Sequence, residues 1–176
     1  MLYIHYGHGN LYEEEKFKPV RNIDYNNVEK IPDGQTTKPK FGTGLWGSEI
    51  SSPLNWRGLC YYYNFEELKH IKNKEYFLFK FKSDANVVHI YHPKDLEKLP
   101  HIRNIRGKEY NILFEEALQQ GIDAIELHLE YDFLALYEYL YGWDCSSVLV
   151  LNPKSIENVS RRGKIRNGKI HGCELF

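Results

Sequence analysis

Val148-Leu149-Val150-Leu151 is the most apolar run in the chain, and it leaves the fewest choices about the fold. On an extended backbone, four successive apolar side chains point alternately to both faces, so both faces must be covered. Such a strand belongs in the middle of a sheet. Asn152-Pro153 closes it, because proline cannot donate to a ladder. Leu2–Tyr6 alternates apolar and polar β-formers and reads as a strand ending at Gly7-His8-Gly9-Asn10. Thr43–Ser48 and Ile122–Leu129 are further strands. Tyr76–Phe81 and Val87–Tyr91, separated by Ser83-Asp84-Ala85-Asn86, read as an antiparallel hairpin. Arg166-Asn167-Gly168-Lys169 marks a second hairpin within Gly163–Cys173.

Helices are fewer. Pro53 suits the first turn of a helix from 53 to about 63, with Ser51 or Ser52 as cap. Asp95–Leu99 is a short helical turn. Lys108–Gln120 carries Ile112, Leu113, Ala117 and Leu118 at helical spacing and stops at Gly121. Phe17–Phe41, broken by Pro19, Pro32 and Pro39, is a long excursion of the kind that is usually functional or mobile. The sum is one α+β domain over residues 1–176, rich in strands and without βαβ alternation.

Composition narrows the function. A formal charge of −1 argues against wholesale attraction to nucleic acid or an anionic membrane, so any polyanion contact must be local. The nearest candidate is Arg161, Arg162, Lys164, Arg166 and Lys169, with no acidic residue among them, although such runs are more often solvated hairpins. Cys60, Cys145 and Cys173 have no CxxC spacing and fit a reducing compartment as thiols. With no basic, apolar leader and no run of about 18 apolar residues, the expectation is a cytoplasmic protein without membrane contact.

His5 at a strand end can bond a ligand hydroxyl, although a lone histidine is more often structural. Trp46 offers a flat face, with Ser48 two residues on along the same strand face. Gly44 and Gly47 clear space around the indole. Trp56 and Tyr61-Tyr62-Tyr63 wall a cleft or, more simply, pack a core. His89 and His92, with His5 and His8, lack the spaced Cys/His set of a zinc site, so no metal is expected. No P-loop and no strand-borne GxGxxG is present.

His5-Tyr6-Gly7 and Gly44-Leu45-Trp46-Gly47-Ser48 together resemble the first two motif blocks of ADP-ribosyltransferases of the His-Tyr-Glu type, which include diphtheria-like toxins and poly-ADP-ribose polymerases. Thr37–Gly42 and Leu140-Tyr141-Gly142-Trp143-Asp144-Cys145 resemble further blocks of a subgroup, so the likeness touches most of the chain as short patches. It implies a split β-sandwich with flanking helices and NAD as co-substrate in the cleft between its halves. It also implies an acceptor that is protein or nucleic acid, and a bacterial or phage toxin or effector, as in a toxin–antitoxin or phage-defence system, with an antitoxin or immunity partner. His5 would anchor the adenosine-side ribose, Trp46 would stack on nicotinamide and Ser48 would hold its amide. Tyr6, Gly7, Gly44, Leu45 and Trp56 would line the cofactor.

The family's glutamate at the start of a late strand is missing. Ser146 stands there, and a hydroxyl carries no charge to stabilise an oxocarbenium-like centre. An inactivating substitution, a pseudoenzyme, or an active variant using Asp144, Glu126 or Glu130 would explain it, and the sequence favours loss over rescue. The alternatives are a non-catalytic NAD or ADP-ribose binding module and a nucleic-acid binding protein that uses the basic hairpin.

Overall fold

The computed structural model describes residues 1–6, 18–25, 37–40, 43–56, 58–59, 75–103, 110–158, 160–161, 163–166, 169–171 and 174–175. In chain order the elements are β1 (Tyr3–Tyr6), β2 (Leu45–Glu49), β3 (Glu75–Phe81), β4 (Val87–Ile90), β5 (His101–Arg103), β6 (Tyr110–Ile112), α1 (Phe114–Gln119), β7 (Ala124–Leu127), α2 (Phe133–Tyr139), β8 (Ser147–Val150), β9 (Ile156–Asn158), β10 (Ser160–Arg161), β11 (Gly163–Arg166), β12 (Lys169–His171) and β13 (Glu174–Leu175). Among the described residues the main sheet runs β12-β11-β3-β1-β2-β8-β7-β4, with β9 on the far half of β3. It is a mixed α+β structure, mostly one curled sheet with few helices. No helix among the described residues is long and apolar enough to cross a membrane.

The curl follows from one bond. β1 and β7 are separated by β2 and β8, which in a flat sheet is three steps of about 4.8 Å. Side chains stand roughly perpendicular to a sheet, yet the Tyr3 hydroxyl donates to Glu126 at 2.9 Å. The face that carries both is therefore concave. It also holds Leu45, Phe77, Phe79, Val148, Val150 and Ile156. Tyr3 stacks on Phe79 with centroids 5.4 Å apart, and alternation along β3 adds Phe81 edge-on to Tyr3. The convex face buries a second cluster in which Ile125, Leu127 and Leu149 meet Phe114 and Ala117 of α1 and Leu136 of α2. As its unbroken apolar run requires, β8 is central, between β2 and β7, and faces both clusters.

Two expectations fail. β3 and β4 do not form a hairpin: β3 pairs with β1, β9 and β11, and β4 pairs in parallel with β7 at the far edge. Asp123 is the reason. Its carboxylate accepts from Asn86 N at 2.8 Å and from Asn152 Nδ2 at 2.7 Å, which clips the start of β4 and the end of β8 to the start of β7. The helix expected over 108–120 begins only at Phe114, because Tyr110–Ile112 pairs with β5 and buries Ile112 in the convex cluster. Gly121 does end α1, at φ +81°, where a side chain would be strained. The turn of the second hairpin, at Asn167-Gly168, lies outside the described residues, but its strands pair as expected, Lys164↔His171 to Arg166↔Lys169. Helix α2 was not anticipated, although Leu136 and Leu140 sit at helical spacing on its buried side.

Candidate functional site

Glu126-Leu127-His128-Leu129-Glu130 extends β7 into the following turn. With a period of two, Ile125 and Leu127 go to the convex cluster, which Leu129 joins from the turn, while Glu126 points to the opposite face, where His128 lies beside it and Glu130, in the turn, reaches His128. His89 joins them from β4, where it is the register partner of Glu126. Asp95 holds the end of β4 in place: its Oδ2 accepts from the amides of Tyr91 and His92, each at 3.0 Å. Burial raises the Asp95 pKa, but Lys98 and these two amides outweigh it and bring the carboxyl down to about 2.

The polar groups on this face form a continuous chain. Glu126 is buried, with its side chain 3% exposed. Its Oε2 accepts from the Tyr3 hydroxyl, lies 3.1 Å from His89 Nδ1 and 3.7 Å from His128 Nε2. The two imidazole nitrogens are themselves 3.1 Å apart. On its other side, His128 Nδ1 faces Glu130 Oε1 at 3.7 Å. Tyr91 lies flat on the His128 ring, with centroids 4.4 Å and planes 11° apart, which fixes the ring's orientation. Burial and then the charge of Glu126 push the Tyr3 hydroxyl pKa well up, so it remains a neutral donor. Among the described residues, His89, Glu126 and His128 are the group whose donor atoms converge as metal ligands could.

Glu130 ends this chain at Ser146. The buried Ser146 hydroxyl donates to the Glu130 carboxylate and accepts from Leu129 N at 2.9 Å. Ser146 N also donates to Leu54 O at 2.9 Å, which ties the site to the turn after β2. Of the three alternative carboxylates, Glu130 is therefore the one at Ser146. Glu126 is engaged by Tyr3 and His89, and Asp144 is exposed.

The other residues singled out by sequence divide between the two faces. The register Tyr3↔Glu49 and Ile4↔Ser48 puts His5 and Leu45 on the concave face and Trp46 and Ser48 on the convex one. His5 Nδ1 donates to the Trp46 carbonyl at 2.6 Å, and its ring packs on Phe77 at 5.1 Å. Trp46 meets Trp143 edge to face at 4.7 Å, and Trp143 donates its indole N–H to Thr37 O at 2.9 Å. Ser48 is buried and accepts from Trp56 N at 3.3 Å, which anchors the start of a helical turn. Tyr6 pairs with Tyr76. The room beside Gly47 is taken by Phe79: a Cβ there would lie 2.7 Å from its ring. Gly44, at φ +71°, gives the same room to Leu149. Gly7, His8, Tyr61-Tyr62-Tyr63, Cys60 and Cys173 lie outside the described residues.

Sequence reasoning had Glu126, Glu130 and His89 but not their union. Glu126 and His128 at a spacing of two are a signal in the sequence; the partnership with His89 is not, because the expected hairpin hides the β4–β7 pairing. No family model matches the chain, and neither a curated protein nor a solved structure does.

Proposed function

We propose that this chain is an NAD-dependent mono-ADP-ribosyltransferase of the split β-sandwich type, acting on a protein or nucleic-acid acceptor as a toxin or effector. Glu130 takes the role of the late-strand glutamate. The observation that carries this reading is the bond from Ser146 to the Glu130 carboxylate. A carboxylate held there supplies the charge that a serine lacks. It would accept from a hydroxyl of the nicotinamide ribose and stabilise the positive charge that develops at the anomeric carbon. The glycosidic C–N bond breaks and its electron pair leaves with nicotinamide. The acceptor's nucleophile then bonds to that carbon and gives up its proton. Ser146 acts as a positioning residue for Glu130, and His5 anchors the adenosine side.

Adenine-labelled NAD incubated with a bacterial lysate and the protein tests this. Label should enter protein, RNA or DNA, and Glu130→Gln should lower the yield on the order of 10²-fold. No label from the wild-type chain, with no NAD binding by calorimetry, refutes it.

A second reading draws on the place of Trp46 against Trp143 in the convex cluster. On that reading the aromatic blocks are ordinary core, and NAD does not bind.

A further inference from the structure

We infer that His89, Glu126 and His128 form a binding site for a divalent cation of the zinc class. The site is independent of the transferase reading. Its three donor atoms, His89 Nδ1, Glu126 Oε2 and His128 Nε2, make a triangle with edges of 3.1, 3.1 and 3.7 Å. Zinc bonds of about 2.0–2.2 Å set at tetrahedral angles put ligand atoms roughly 3.3–3.5 Å apart, and the mean edge falls at this separation.

Protons satisfy such a triangle poorly. If His89 Nδ1 carries hydrogen, that one N–H must serve both Glu126 and His128. If it does not, its lone pair faces the carboxylate at 3.1 Å, acceptor against acceptor. A cation at the centre uses all three lone pairs at once. It also neutralises a carboxylate whose side chain is 3% exposed. Two imidazoles with one carboxylate suit zinc rather than magnesium or calcium, which take oxygen ligands.

The surroundings fit as well. Ligating histidines characteristically turn their other nitrogen toward a carboxylate, and Glu130 stands on that side of His128. The side chain of His89 is 36% exposed, which gives an ion an entry path. The ligands come from two chain segments joined by register rather than from one spaced motif.

The test uses the untagged full chain, stripped with a chelator, then dialysed against Zn²⁺ without NAD; Co²⁺ substitution reads the coordination geometry. One Zn²⁺ per chain is expected, with an intense visible Co²⁺ band. His89→Ala, at the half-exposed position least able to disturb folding, and His128→Ala should each weaken binding at least 10²-fold. Glu130→Gln, which removes no ligand, should weaken it about 10–100-fold. Circular dichroism checks that each variant is folded. No retained Zn²⁺, or binding undiminished in folded His89→Ala and His128→Ala, overturns the inference. Because NAD is absent throughout, failure here leaves the transferase reading standing, and the reverse also holds.

Discussion

The two faces of β7 are built from adjacent residues and do opposite work. Its convex side, Ile125, Leu127 and Leu129, is closed off under α1 and α2 with no polar group to satisfy. Its concave side, Glu126, His128 and Glu130, is held by hydrogen bonds and a stacked ring, with His89 open to solvent. The difference teaches what each face tolerates. An apolar face tolerates little loss of volume, and a polar face tolerates little loss of a partner.

The strongest way to break the comparison is to empty the convex side. Trp143→Ala removes a fully buried indole, its contact with Trp46 and its bond to Thr37. Urea unfolding should register a loss of about 3–5 kcal/mol. Trp46→Ala should also cost stability, on the order of 3 kcal/mol, while leaving any NAD affinity of the opposite face nearly unchanged. Lost NAD binding at an unaltered melting temperature would instead return Trp46 to the cofactor site and refute the division of labour between the faces.

Glu130→Gln sharpens the comparison from the other side. It should cost only about 1 kcal/mol in unfolding measurements, despite the large fall in labelling expected of it. Tyr3→Phe leaves a buried carboxylate with one donor fewer and should cost about 1–2 kcal/mol by the same measurement.

Asp95, at the end of β4, offers a test that depends on pH. Its folded pKa of about 2 lies below its ordinary value of 3.8. The stability it contributes is therefore fully present above about pH 4 and is lost as the pH falls through 2. The stability difference between wild type and Asp95→Asn should be constant at neutral pH and shrink across that acid window. A difference that grows on acidification would contradict the assignment.

The sequence made the strands legible where period alone decides, at β1, β2, β8 and the β11–β12 pair. It misled where a tertiary partner overrides local pattern. Ile112 and Leu113 sit at helical spacing with Ala117, but Ile112 is drawn into a β ribbon with His101. Asn86 reads as a turn residue, but its amide is spoken for by Asp123, 37 positions away. For the site, Ser146 carries no charge, and Glu130 is one of three carboxylates that the sequence offers in its place. A carboxylate 16 residues upstream gives no local sign that it bonds to that serine.

The bond from Tyr3 to Glu126 joins residues 123 positions apart and works as a clasp on the rolled sheet. Whatever lifts the first strand also unfastens a buried anion and its two imidazoles. Amide exchange at Tyr3–Tyr6 and at Glu126–Glu130 should therefore share one opening event, and a ligand gripping either end would be felt at the other.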